Sequence, residues 1–73
     1  MTDNVYSISE IVGTSPDGLD QAIRNAITRA SRTLRNLDWF EVAEVRGYLS
    51  EGRIDHFQVR LKVGFRLEDQ GAT

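Results

Sequence analysis

The chain has 73 residues, no cysteine, one histidine and a formal net charge of −2, with a pI near 5.2. That length allows one small domain over residues 1–73, with an ordered core expected over about 4–69. The missing cysteines exclude a disulfide framework, a thiolate metal site and a cysteine nucleophile, and the acidic balance argues against a general nucleic-acid binder. No apolar run approaches the roughly 20 residues of a membrane helix. Met1-Thr2-Asp3-Asn4 has neither the basic nor the apolar segment of a signal peptide, so a cytoplasmic protein without membrane contact is expected.

Surface scaling gives about 7,400 Å² buried on folding for a chain of this mass. With about 60% of it apolar, burial contributes about 110 kcal/mol. Ordering the chain costs about 110 kcal/mol as well. With no disulfide and no metal site to help, oligomerisation is the expected source of the remaining stability.

Residues 5–12, Val-Tyr-Ser-Ile-Ser-Glu-Ile-Val, are β-branched and aromatic and predict a strand. Gly13 ends it. Ser15 then reads as a helix N-cap, with Pro16 at the first helical position and Asp17 in the first turn, where the helix dipole favours an acid. The helix is predicted from about Pro16 to about Asn36. Leu19, Ala22, Ile23, Ala26, Ile27, Ala30, Leu34 and Leu37 form one apolar stripe at three- and four-residue steps. Arg24, Arg32 and Arg35 lie opposite, with Arg29 at the flank, and read as a solvated face.

A second strand is predicted over 39–49. Phe40 and Val42 share one face, whereas Val45 and Leu49 belong to the other, so a β-bulge near Ala43-Glu44 is needed to reset the alternation. Ser50-Glu51-Gly52-Arg53 is a turn. The last strand alternates cleanly: Phe57, Val59, Leu61, Val63, Phe65 and Leu67 on one face, Gln58, Arg60, Lys62, Gly64 and Arg66 on the other. Glu68 to Thr73 reads as a polar tail. The expected fold is α+β with the order β-α-β-β, a three-stranded antiparallel sheet curled around one helix.

Catalytic chemistry is thin. His56 is the only histidine, no serine has an evident base beside it, and neither phosphate-cradling glycine motif is present. Asp38, Glu41 and Glu44 cluster in sequence, as solvated acids at strand starts commonly do. Binding rather than catalysis is expected, with no catalytic residue and no metal ligand assigned. Three sets of residues suit a ligand. Trp39, the only tryptophan, reads either as core or interface packing or as a platform for a planar ring. Gln58 offers a donor and an acceptor side by side, matching an imide edge, or is an exposed strand glutamine. Arg46 and Arg66 suit a phosphate, or pair with Glu41, Glu44 or Glu68.

Taken together, several stretches resemble the dodecin family: Glu10-Ile11-Val12-Gly13-Thr14-Ser15 followed by Gly18, Thr33-Leu34-Arg35, Leu37-Asp38-Trp39-Phe40-Glu41-Val42, Val45-Arg46-Gly47, Phe57-Gln58-Val59 and Val63-Gly64-Phe65-Arg66-Leu67-Glu68. The likeness covers about residues 5–69. It implies a small flavin-binding protein, twelve copies of which form a hollow shell with flavins stacked in pairs between tryptophans of neighbouring subunits. By that resemblance Trp39 stacks on the isoalloxazine and Gln58 reads its pyrimidine-like edge. Arg46 and Arg66 lie near the ribityl-phosphate end, and Glu44 stands near the ligand. The cofactor implied is FMN, with riboflavin and FAD as further candidates. The function implied is storage and sequestration of flavin, with its photochemistry quenched by the indole. The alternative is an oligomeric carrier for another nucleotide-type ligand such as coenzyme A.

Overall fold

The computed structural model describes residues 3–68. Met1, Thr2 and the predicted polar tail beyond Glu68 lie outside the described residues. The elements are β1 (Tyr6–Ser15), α1 (Leu19–Ala30), β2 (Leu37–Ser50) and β3 (Arg53–Arg66). The predicted β-α-β-β order is observed as one three-stranded antiparallel sheet with β3 in the middle, in the order β1-β3-β2.

The helix is shorter than its apolar stripe predicts. Ser15 is the last residue of β1, not an N-cap; its Oγ accepts a hydrogen bond from the Asp17 N–H at 3.0 Å, closing a separate small turn. Gly18, at φ +149°, caps the helix without a side-chain bond. This backbone conformation favours glycine, and it separates Pro16 and Asp17 from the helix. Asp20 is the acid of the first turn. At the other end the Ala30 carbonyl accepts from the N–H groups of both Thr33 and Leu34, which tightens the chain out of the helix. Asn36, at φ +64°, turns it into β2. Leu34 and Leu37 keep the helical spacing by coincidence of composition; Leu37 already belongs to the strand.

The core lies between α1 and the sheet. Ala22 and Ala26 pack on Val59 and Leu61, all buried, with Ile11, Leu19, Ile23 and Ile27 around them. Close approach needs Gly13, because a methyl group there would overlap the Ala22 carbonyl and stand 2.8 Å from the Ala26 Cβ. The helix lies over β1 and β3 but not over β2. Phe40, Val42 and Val45, on β2, therefore remain exposed.

The β2–β3 hairpin turns through Glu51 (φ +50°) and Gly52 (φ +77°), the positive dihedrals of a tight type I′ turn. The register shifts between Val42 and Glu44, where the alternation predicts a bulge, and also between Leu37 and Trp39 and between Tyr48 and Leu49. Since β1 ends at Ser15 opposite Phe57, the hairpin tip runs on as a two-stranded arm. The molecule measures 59 × 20 × 15 Å and exposes 5579 Å², against about 4,600 Å² for a rounded chain of this mass. The apolar residues Leu49 and Ile54 stand exposed on the arm.

Candidate functional site

The sheet face turned away from the helix carries every residue that the sequence nominates for binding. Two clusters occupy it.

The first surrounds Trp39. Leu37 pairs with Phe65 and Trp39 with Gly64, so Asp38 is the extra residue of a bulge. Its indole covers Gly64: a side chain there would overlap Cε2, Cζ2 and Nε1 of the ring system. The indole is thus seated directly on backbone, and Trp39 remains 40% exposed. On the far side of β3, Tyr6 donates a hydrogen bond from its phenol to Asp38 Oδ2 at 2.8 Å. That bond, more than the coulombic effect of the carboxylate, raises the phenol pKa above its usual value, while the charge of Arg66 pulls it down. Arg66 pairs with Tyr6 in the sheet. Its N–H donates to the Asn36 carbonyl at 3.1 Å and its carbonyl accepts from Asn36 Nδ2 at 3.2 Å. Among the described residues its guanidinium makes no ion pair.

The second cluster surrounds Gln58, half-buried on the middle strand between Thr14 and Arg46. Charges knit it together. Arg46 Nη2 donates to Glu44 Oε2 at 2.9 Å, Arg60 Nε approaches Glu44 Oε1 at 3.5 Å, and Arg60 Nη1 reaches Glu10 Oε2 at 3.4 Å. The Arg46 hydrogen bond is the main reason that the Glu44 carboxyl is held below the usual carboxylate range. Reciprocally, Glu44 first and Tyr48 second raise the pKa of Arg46. Further along, the rings of Tyr48 and His56 stack with centroids 4.7 Å apart, and His56 Nδ1 lies 2.7 Å from Asp55 Oδ2.

The two clusters do not meet within one chain. Gly64, under Trp39, and Gln58 are six residues apart on β3, which is about 20 Å of strand. Asp38, Glu41 and Glu44 do not converge either: Asp38 is bound to Tyr6 and Glu44 to two arginines. Among the described residues no group of histidines and carboxylates could hold a metal ion, and no helix is long and apolar enough to cross a membrane. Sequence reasoning missed Gly64 as the seat of the indole and the Tyr6–Asp38 bond. A glycine inside an otherwise regular strand was the available signal for the first, because it often marks a close approach of another group. Nothing in the sequence signals the second.

A protein-family model described as Dodecin matches residues 5–68. A dodecin of Thermus thermophilus is 55% identical over 65 residues, covering 89% of this chain and 94% of the relative. Among solved structures, the dodecin from Streptomyces davaonensis shares 63% identity at a TM-score of 0.89, covering 93% of this chain and 100% of its own. The dodecin from Streptomyces coelicolor shares 61% identity at a TM-score of 0.89, covering 96% and 100%.

Proposed function

The chain belongs to the dodecin family, and on that premise we propose that it is a flavin-storage protein whose sites form between copies of itself in a hollow dodecamer. The observation that carries the reading is the indole of Trp39, seated on Gly64 at the open face of the sheet. A core tryptophan would be enclosed on both sides; this one is supported beneath and open above. It is a stacking surface held in place before a ligand arrives, which lowers the entropy lost on binding.

The remaining residues suit a flavin. The Gln58 amide, without a hydrogen-bond partner among the described residues, presents a donor and an acceptor to the imide edge of the ring. Arg66 offers its fork to the phosphate of FMN. Arg46 does so too, steadied by Glu44, which stands beside the ligand as the arginine's counter-charge. Solved variants of the Thermus thermophilus dodecin carry a tryptophan replaced by phenylalanine and two arginines replaced by alanine, the residue types assigned here. Because Trp39 and Gln58 stand about 20 Å apart along the sheet, one ring that meets both residue types draws them from two subunits. The uncovered apolar residues of β2 and of the arm supply the contacts for that assembly.

Bound flavin supplies a ring that absorbs blue light and accepts electrons. The Trp39 indole would stand against it as a reversible electron donor, returning the excited ring to its ground state, and Gln58 and the arginines would orient the ligand. On this reading Trp39, Gln58, Arg46 and Arg66 bind and orient the flavin, and the protein works by binding, in the cytoplasm.

The test is direct. Purified protein is expected to be yellow, to quench flavin fluorescence on titration with FMN, and to scatter light as a particle of twelve chains. A colourless protein that leaves FMN fluorescence unchanged would refute the reading. Retention of coenzyme A in its place would favour a carrier role.

A further inference from the structure

We propose that Tyr6 is a positioning residue for Arg66: by holding Asp38 in a hydrogen bond it keeps that carboxylate from neutralising the arginine, and so tunes the site towards flavins that carry a phosphate. The inference rests on the assignment of Arg66 to the phosphate end of the ligand.

Three observations carry it. First, Tyr6 and Asp38 stand on the two strands that flank β3, with Tyr6 directly opposite Arg66 and Asp38 in the bulge opposite the Gly64–Phe65 step. The 2.8 Å bond between them therefore spans the middle strand beside Arg66. Second, Asp38 follows Leu37, whose cross-strand partner Phe65 is the chain neighbour of Arg66. Yet among the described residues Arg66 has no ion pair, and the hydrogen-bond partner of Asp38 is the phenol. Third, the charges of Asp38 and Arg66 act on the phenol in opposite directions, which sets all three groups in one neighbourhood.

The physical logic is a competition for one carboxylate. An exposed ion pair gains little after side-chain entropy and screening, so where the 2.8 Å phenol bond holds the Asp38 carboxylate decides whether it pairs with Arg66. Arg66 then keeps its full charge and all its donors for a ligand. Removing the phenolic hydroxyl releases Asp38 to Arg66, and a phosphate must displace it. A ligand without a phosphate does not sense the change.

The experiment titrates the full chain with FMN and with riboflavin, following flavin fluorescence, for wild type, Tyr6→Phe, Asp38→Asn, the double variant and Arg66→Gln. Tyr6→Phe is expected to weaken FMN binding about three- to tenfold more than riboflavin binding, and the double variant to restore the wild-type ratio of the two affinities. An unchanged ratio in Tyr6→Phe overturns the proposal. So does a loss that Asp38→Asn fails to restore, because the phenol would then be structural. Arg66→Gln separates the two levels. If it leaves the ratio unchanged, the phosphate assignment falls and the role of Tyr6 with it. If it lowers the ratio while Tyr6→Phe does not, only the role of Tyr6 is lost.

Discussion

The two ends of the open sheet face are built on different physics. At the Trp39 end, position comes from backbone: an indole seated on a glycine, a bulge at Asp38, and Asn36 clamping the main chain of Arg66. At the Gln58 end, position comes from charge: Glu10, Arg60, Glu44 and Arg46 form an alternating string across the three strands. Contact with backbone is short-ranged and insensitive to salt, whereas exposed ion pairs are individually weak and screened. The difference teaches that the indole is positioned by backbone, whereas the polar side chains of the other end are held only by weak, exposed ion pairs.

The largest expected effect breaks the backbone-built end. Trp39→Ala removes the stacking surface, at about 1–3 kcal/mol per ring contact by analogy with base stacking, and is expected to abolish most flavin binding. Light scattering should show the assembly intact; unfolding would mean that the indole is a core residue. Gly64→Ala makes the same point without touching the indole: a methyl group displaces the ring, and binding should fall nearly as far.

Gln58→Leu keeps bulk and removes donor and acceptor. A loss of about 1–3 kcal/mol is expected for FMN and riboflavin alike. Unchanged affinity for both would show that the amide does not read the ring.

The arginines sharpen the comparison further. Arg66→Gln is expected to weaken FMN binding about tenfold or more, with riboflavin nearly untouched, because only FMN offers a partner for charge-assisted bonds. Arg46→Gln should show a smaller preference, since its fork is shared with Glu44. It should also lower the affinity for both ligands somewhat by freeing that carboxylate beside the ring. Equal effects of the two variants on the ratio of affinities would erase the distinction between the two ends.

The smallest effects are in pH dependence. The Glu44 carboxyl is depressed, chiefly by the Arg46 hydrogen bond. Its ion pairs therefore contribute above the unfolded carboxylate pKa and are lost only as pH falls through the lower folded value. The Tyr6 phenol is raised, chiefly by Asp38, so its contribution is present below the unfolded phenol pKa and lost as pH rises through the higher folded one. Ultraviolet titration of tyrosinate should show a late-ionising group in wild type that disappears in Tyr6→Phe.

Much of this was legible in the chain. Period-two alternation from Phe57 to Leu67 determined the middle strand, because a sheet covered on one face admits one phase only. The break in phase between Val42 and Val45 determined a bulge, and Glu51-Gly52 a tight hairpin. Trp39, Gln58, Arg46, Arg66 and Glu44 were nominated by residue type and family likeness, and all lie in the strands of one sheet. Helix length was misread because apolar spacing runs on through Leu34 and Leu37, while the helix starts only after Gly18, through a backbone dihedral that residue type only suggests, and ends at Ala30, whose carbonyl accepts from Thr33 and Leu34.

What the tertiary structure decided is which residues meet across strands. Local periodicity tells which face a side chain takes, but not which residue of another strand stands opposite it. That depends on register, and three irregularities shift the register of β2. The seat of Trp39 on Gly64, the reach of Tyr6 to Asp38 and the separation of Trp39 from Gln58 follow from those pairings, whereas the Arg46–Glu44 pair is local, two residues apart on β2. The first two contacts join residues 25 and 32 positions apart, and a one-residue slip of β2 against β3 would have changed both while leaving the composition of every strand the same.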